Sequence, residues 1–495
     1  MLDRLVVNES IEATRPIGIG RVDPSRCDVA VIGAGSGGVT VAQQLAIAGR
    51  EVVLIAAGFV GGECPYVACM PSKSLLRSAR ARREAATTVV HGATSAPLVL
   101  GDPAHDWPAA VRRRDSVANQ RDDQAEADAL TRAGVTLIRG RGVLDGDGRV
   151  QTPVGAVTAR DIVIATGSIP VWPPVDGLDG VPTWTSDQAL SANERPDRMA
   201  ILGGGAVGCE LAQVYATFGA AVTVIDTADR LVASEDPALG EAMALVLAAD
   251  GVALRLGATV QRAEPYAGGA RLHLDAGDPI DADRVLVVTG RRPATDALGL
   301  ASVGVTPGDD GEIVVDRRCR AGDHLWAVGD VTAAAPYTHT ANHQARVVVD
   351  EILGRPGHDV TPEALPRAVY TEPPLAATGL TEQQARDAGH DVITAEVDLC
   401  VVSRAGAEGD GPLGPADAAG GVLRLVADRN AAVLVGAGAI GSAADAWIAE
   451  ATLAIRARVP LPVLADVVRP FPTYAEAYAT AYRDLLEQLA GDSSG

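Results

Sequence analysis

At 495 residues the chain is several times the usual domain length of roughly 100 to 200 residues, so two to four domains with sizeable cores are expected and a single domain is excluded. A formal charge of −21 repels phosphate backbones and anionic bilayers, which argues against nucleic acid and membrane surfaces as partners. The 47% hydrophobic content fits a globular protein, and six cysteines are too few for a disulfide scaffold, so closely spaced ones suggest redox or metal chemistry.

Residues 1–26 precede the first strand and are expected to form an arm, with disorder the safer expectation. The opening MLDRLVVNES has no continuous apolar run or small-residue cleavage site, so no signal peptide and a cytoplasmic location are expected. Cys27 to Gly38 then reads CDVAVIGAGSGG, a strand running into Gly33, Gly35 and Gly38, followed by the helical VTVAQQLAIAG. This G-x-G-x-x-G order suits a dinucleotide: the first glycine makes the turn, the second admits a pyrophosphate, and the third packs helix on strand. The next strand, EVVLI, ends in Ala56, Ala57 and Gly58, where an acid normally grips the ribose. The adenosine end is therefore expected to be held less firmly than usual, or by a substitute.

GGECPYVACMPSK follows, with Cys64 and Cys69 just ahead of Lys73, the one lysine among 42 basic residues. Residues five apart on a regular helix diverge too far for a disulfide, so this segment must depart from ideal helix. Pro65 suits a first helical position and biases Cys64 to extended backbone, which would let it fold in beside Cys69 from outside the helix. A retained lysine indicates a need for a compact ammonium rather than a planar guanidinium. Ser74 to Gly134 has helical spacing and many charges, and reads as a solvated helical pair.

Further on, IVIATGSIP ends a buried-type strand at Thr166 and Gly167, a point where the chain can cross between domains. MAILGGGAVGCEL repeats the nucleotide unit with Gly203, Gly205 and Gly208, and its second strand, AVTVID, closes on Asp226. A carboxylate there accepts from a free 2′-hydroxyl and repels a 2′-phosphate, favouring NADH over NADPH, with Arg230 four residues on moderating the preference. Two units imply two nucleotides, which suits a flavin reduced by a nicotinamide. VLVVTGRRP repeats the strand ending in Thr-Gly, and LWAVGDV carries Asp330, placed for a polyol hydroxyl. His339 and His343 lie four apart, but no third ligand suggests itself, so no metal site is assigned. Cys27, Cys209, Cys319 and Cys400 read as buried small residues.

With these residues assembled, the chain resembles the pyridine nucleotide-disulfide oxidoreductase family, which contains dihydrolipoamide dehydrogenase, glutathione reductase and mercuric reductase. The resemblance runs from about Cys27 to about Leu489, with Cys64-x4-Cys69 followed by Pro71-Ser72-Lys73 as its most specific signature. It implies an α/β fold: two Rossmann-like, three-layer ββα nucleotide domains and a C-terminal α+β dimerisation domain, assembled as a homodimer. The corresponding divisions are an FAD-binding domain over 27–172 and 295–364, an NAD-binding domain over 173–294 and an interface domain over 365–490. By the same resemblance, FAD carries electrons from NAD(H) to a Cys64–Cys69 disulfide. Cys69 is then the flavin-proximal thiolate, Cys64 the exchanging thiol, and Lys73 with Glu210 a pair beside the flavin N5.

The pattern breaks at one position. The family ends in His-Pro-Thr-x-x-Glu, whereas this chain reads FPTYAE, so Phe471 stands where the acid–base histidine belongs and Glu476 has no imidazole to orient. A placed histidine is typically worth about 10² to 10⁴ in rate, so ordinary large-disulfide reduction is disfavoured. The tail GDSSG lacks the cysteine pair of mercuric reductase, which disfavours mercury. Three readings stand: exchange with a small disulfide, dithiol or acidic thiol; electron transfer from FAD to a quinone, another small organic acceptor or oxygen; and a non-redox biosynthetic or binding protein that keeps the fold.

Overall fold

The computed structural model describes residues 25–89, 91–96, 98–146, 148–409 and 421–491. The expected N-terminal arm lies outside the described residues except for Ser25 and Arg26, and Arg26 already opens the first strand.

Strand β1 (Arg26–Ile32), helix α1 (Ser36–Ile47) and strand β2 (Val52–Ala56) form the first strand–turn–helix–strand unit. The strands pair in parallel, and their near-continuous apolar runs follow from burial on both faces of the sheet. The redox segment folds as a single helical turn, α2 (Glu63–Tyr66), a break at Val67 and Ala68, and then α3 (Cys69–Ala86). Here the expectation for Cys64 is corrected: it sits inside α2 rather than in extended backbone. Pro65 occupies the first turn, where its missing N–H is not needed, and this outweighs its bias on the preceding residue. The required departure from ideal helix is the break, with φ near −135° at both Val67 and Ala68.

The solvated helical pair is also corrected. Helix α4 (Pro103–Val117) packs on α3, and a third helix spans Gln124–Arg132. Trp107 of α4 is buried between Tyr215 and Phe218, each with its ring centroid 5.3 Å away. Arg114 is fully buried, donating to the carbonyls of Ala192 and Ser191 and to Asn193 Oδ1. Its charge made it look solvated, whereas Asp115 pairs with it and carbonyls of a distant segment take its remaining N–H groups.

Strands β3 (Val135–Arg139) and β4 (Gly155–Ile164) extend the first sheet. The chain then builds a second parallel sheet around β5 (Arg198–Leu202), helix α5 (Ala206–Thr217), β6 (Ala221–Asp226) and β7 (Arg284–Val287). It returns to the first sheet through β8 (Leu325–Ala327), which pairs with β4, and helix α6 (Thr338–Leu353) packs against α1. Ser168–Pro170 and Arg291–Pro293 pair antiparallel where the chain leaves and re-enters. A three-stranded antiparallel layer over 260–282 accompanies the second sheet, and strands in 143–164 do the same for the first.

The C-terminal unit is an antiparallel sheet of β9 (Pro366–Val369), β10 (Leu375–Gly379), β11 (Val392–Asp398), β12 (Val422–Asp428) and β13 (Val433–Ile440), in the order β9-β10-β13-β12-β11. Helix α7 (Glu476–Gly491) packs over β11 and β12. This is the expected architecture of two ββα nucleotide units and an antiparallel C-terminal domain. One core cluster runs through Leu75, Trp107, Tyr215, Leu239, Leu375 and Ile440, so the redox helix, the second nucleotide unit and the C-terminal sheet share apolar packing. Among the described residues no helix is long and apolar enough to cross a membrane.

Candidate functional site

The first glycine turn is shaped by what crowds it. Gly33 has φ +108°, and a Cβ there would stand 2.2 Å from Ala165 O. A Cβ on Gly38 would stand 2.0 Å from Gly33 O, whereas Gly35 faces open space. The glycine at the start of α1 offers no capping side chain, leaving the first-turn N–H groups aimed outward. The second turn repeats this: Gly203 at φ +115° meets Val288 O, Gly208 meets Gly203 O, and Gly205 is open. The residues therefore fit a diphosphate at each turn.

Asp226 closes the second unit. Its carboxylate accepts from Gly204 N at 2.5 Å and Ala228 N at 2.8 Å, which fixes it beside the glycine turn. At the end of β2 no acid appears. Ala56 is buried, and Asp123, the carboxylate that accepts from Val60 N, is tied by two hydrogen bonds to Arg139 and does not line the cavity. Gly140, Arg141 and Gly142 line that end instead.

A cavity of about 840 Å³ joins the first turn to the redox segment. Gly33, Gly35, Cys64, Cys69, Lys73, Thr166, Gly167, Glu210 and Asp330 all line it. Cys69 and Lys73 are four apart on α3 and so share its cavity-facing side. Lys73 Nζ donates to both oxygens of Glu210, at 2.9 and 3.0 Å, and the carboxylate also accepts from Ser72 Oγ at 2.7 Å and Tyr370 N at 3.0 Å. The Lys73 ammonium lies 4.5 Å from the centre of the Tyr370 ring. The Glu210 side chain is 7% exposed and that of Lys73 35%, so of the pair the lysine is the more open to solvent or a ligand.

The sulfurs are free thiols whose ionisations are linked. A hydrogen bond from Cys69 pulls the Cys64 thiol down to about 6, against burial and with help from Thr338 and Lys73. The same bond, with burial, pushes Cys69 up. The pair thus ionises once readily and resists a second ionisation. Thr338 Oγ1 lies 3.8 Å from Cys69 Sγ.

Asp330 Oδ2 accepts from Ser168 Oγ at 2.6 Å, and Thr166 Oγ1 donates to Ala294 O at 2.9 Å. Glu476 is not brought to this cavity; it opens α7, with Oε2 3.4 Å from Thr473 N. Phe471 is 73% exposed on the preceding loop. His339 Nε2 hydrogen-bonds Pro366 O at 2.7 Å and its ring stacks on Tyr337. Cys27, Cys209 and Cys319 are buried as expected, but Cys400 is only half-buried, because the short turn that holds it lies at the domain surface.

Sequence reasoning named Ser72 only as part of the Pro71-Ser72-Lys73 signature and missed Tyr370, Thr338, Ser168, Arg291 and Glu63. Only Ser72 and Glu63, which flank the redox residues, carried a local signal; the others come from segments remote in sequence.

Comparison with known proteins gives the same outline. The family described as "Pyridine nucleotide-disulphide oxidoreductase" matches residues 27–345, and its dimerisation domain matches 365–482. The chain is 32% identical over 480 residues to a mercuric reductase of Streptomyces lividans, covering 94% of this chain and 97% of that one. It is 32% identical over 472 residues to a dihydrolipoyl dehydrogenase of Chlorobaculum tepidum, covering 93% and 97%. Among solved structures, a Cu(II) complex of the HOCl-induced flavoprotein disulfide reductase RclA from Escherichia coli is similar at a TM-score of 0.78 and 27% identity, covering 93% and 99%.

Proposed function

This chain belongs to the pyridine nucleotide-disulphide oxidoreductase family, and from that premise we propose that it uses FAD to move electrons between NADH and a small disulfide or dithiol through Cys64 and Cys69. It is an oxidoreductase with a dimerisation domain, and we propose that it works as a homodimer. The observation that carries the reading is the meeting, in one cavity, of a glycine turn open to a diphosphate, two proton-sharing thiols and an ammonium held by a buried carboxylate.

When bound, FAD supplies the two-electron relay between a nicotinamide and the sulfur pair. The glycine turn and the first-turn N–H groups of α1 would hold its diphosphate, and Asp330 its polyol. Asp226 favours a coenzyme with a free 2′-hydroxyl. Glu210, held by Ser72 and Tyr370 N, keeps the Lys73 ammonium at the cavity wall, where it stabilises negative charge. Cys64 is the sulfur that exchanges with substrate and Cys69 the one beside the flavin, and the pair gives up one proton readily and resists losing the second. Phe471 offers no proton to a departing thiolate, so partners whose thiols are acidic are favoured.

The same missing base supports a second reading, reduction of a thiophilic metal ion, because such an ion accepts electrons from a thiolate pair without a proton. The similarity to mercuric reductases and to the Cu(II)-binding RclA points the same way, against the case from the tail. Among the described residues no cluster of three or more His, Cys, Asp or Glu could hold a resident ion, so the metal would be substrate.

Anaerobic titration with NADH tests the central proposal: a long-wavelength thiolate-to-flavin band should grow in, and its absence would favour transfer to a quinone or another organic acceptor. Phe471→His separates the two sulfur readings. Restoring an imidazole should raise small-disulfide reduction by about 10-fold or more and leave Hg(II) or Cu(II) reduction unchanged.

A further inference from the structure

Glu63 stands directly before Cys64, and its carboxylate is engaged by a cation from the crossing strands: Arg291 Nη2 donates to Glu63 Oε2 at 2.9 Å. The same guanidinium donates through Nε to Ser168 Oγ at 2.7 Å, and Ser168 Oγ donates on to Asp330 Oδ2 at 2.6 Å. This chain lies against the first glycine turn, because a Cβ on Gly62, next to Glu63, would stand 2.8 Å from Gly35 Cα. The open space over Gly35 is therefore bordered by Glu63 as well as by the first-turn N–H groups of α1.

The charges around that space do not balance for an anion. Glu63, Asp187 and Asp330 all line the cavity, and of its cations Lys73 is held by Glu210 while Arg141 lies beside the end of β2, where Gly140 N donates to Ala56 O. Arg291 is the cavity cation paired to the segment that packs on Gly35, and Glu63 already occupies it. A diphosphate entering there brings two more negative charges and must share or displace Glu63. Burial, opposed by Arg291, and then the charges of Asp187 and Asp330 hold the Glu63 carboxyl above the usual carboxylate range, in keeping with a crowded acid.

We infer that Glu63 competes with the FAD diphosphate for Arg291 and so sets how readily this protein releases and rebinds its flavin. The inference rests on FAD being the group held at the first glycine turn. It adds a second cause of weak binding to the missing acid at Ala56.

The test is titration of the apoprotein with FAD and, separately, with riboflavin, which lacks the diphosphate. Wild type, Glu63→Gln, Glu63→Thr and Arg291→Gln are compared by flavin fluorescence, with thermal melts of each apoprotein to confirm folding. Removing the charge of the half-exposed Glu63 should tighten FAD by about 10-fold in both Glu63 variants, while Arg291→Gln weakens it. Riboflavin affinity should move less than about twofold in the Glu63 variants, since no diphosphate is present to feel the charge. Unchanged or weaker FAD binding in Glu63→Gln overturns the inference and leaves the functional reading intact, as does equal tightening of FAD and riboflavin. Failure of wild-type protein to bind FAD at all overturns both.

Discussion

Replacing Lys73 by arginine keeps a cation beside Glu210 and changes its shape, whereas methionine removes the charge. Glu210 is 7% exposed and accepts from Lys73, Ser72 and Tyr370 N. Stripping one partner from a fully buried pair costs about 3–5 kcal/mol. Lys73 is itself 35% exposed, and two other donors remain, so Lys73→Met should cost about 2 kcal/mol. Arginine can still pair with the carboxylate and should cost less than about 1 kcal/mol. Catalysis should separate the variants from wild type more sharply, since removing one placed electrostatic group typically slows a step about 10²- to 10³-fold. Lys73→Met is expected to slow flavin reduction by NADH about 10²-fold, and Lys73→Arg about 10-fold, because the planar guanidinium cannot occupy the compact position between Glu210 and the Tyr370 ring. Urea denaturation reads the first quantity and anaerobic stopped-flow absorbance the second. Wild-type reduction rates in Lys73→Arg would refute the requirement for an ammonium, and wild-type rates in a destabilised Lys73→Met would make Lys73 purely structural.

The thiol pair gives a pH signature. Alkylation of the reduced protein by iodoacetamide should rise through a midpoint well below the ordinary thiol value of about 8.5, because the pair loses its first proton readily; a midpoint near 8.5 refutes the proton sharing. Because the folded Cys64 ionises below its unfolded value of about 8.5, this ionisation stabilises the fold fully above that pH. The contribution is lost as pH falls through about 6, so the melting-temperature gap between wild type and Cys64→Ala should shrink from pH 8.5 to pH 6. For the coenzyme, kcat/KM should favour NADH over NADPH, and Asp226→Ser should reduce that ratio about 10-fold by removing an acceptor for the 2′-hydroxyl and a charge that repels a 2′-phosphate. A ratio unmoved by the substitution would take the preference away from Asp226.

Local chemistry made part of the site legible. A glycine turn is crowded by its own strand and helix, so Gly33, Gly38, Gly203 and Gly208 could be recognised from their spacing, and the backbone contacts that exclude a Cβ there are close ones. The cysteine pair required a break in the helix, and the break lies at Val67 and Ala68. Local reasoning failed where a distant segment supplied the partner. Arg114 looked solvated because, beyond its pairing with Asp115, the Ala192 and Ser191 carbonyls that take its other N–H groups lie some 78 residues on. Pro65 looked like a first helical residue because its bias on Cys64 could not be weighed against closure of the α2 turn.

The sequence by itself determined which groups exist and which short turns they can make: two nucleotide cradles, a paired thiol segment, a lone lysine, and a phenylalanine in place of a base. Tertiary structure decided how they act on one another. Lys73 and Glu210 meet across 137 positions, Tyr370 N reaches Glu210 across 160, and Arg291 reaches Glu63 across 228. Turns and helical spacing are set by bonds among near neighbours, whereas the charge and proton sharing that tune a site depend on distances between atoms that only packing brings together.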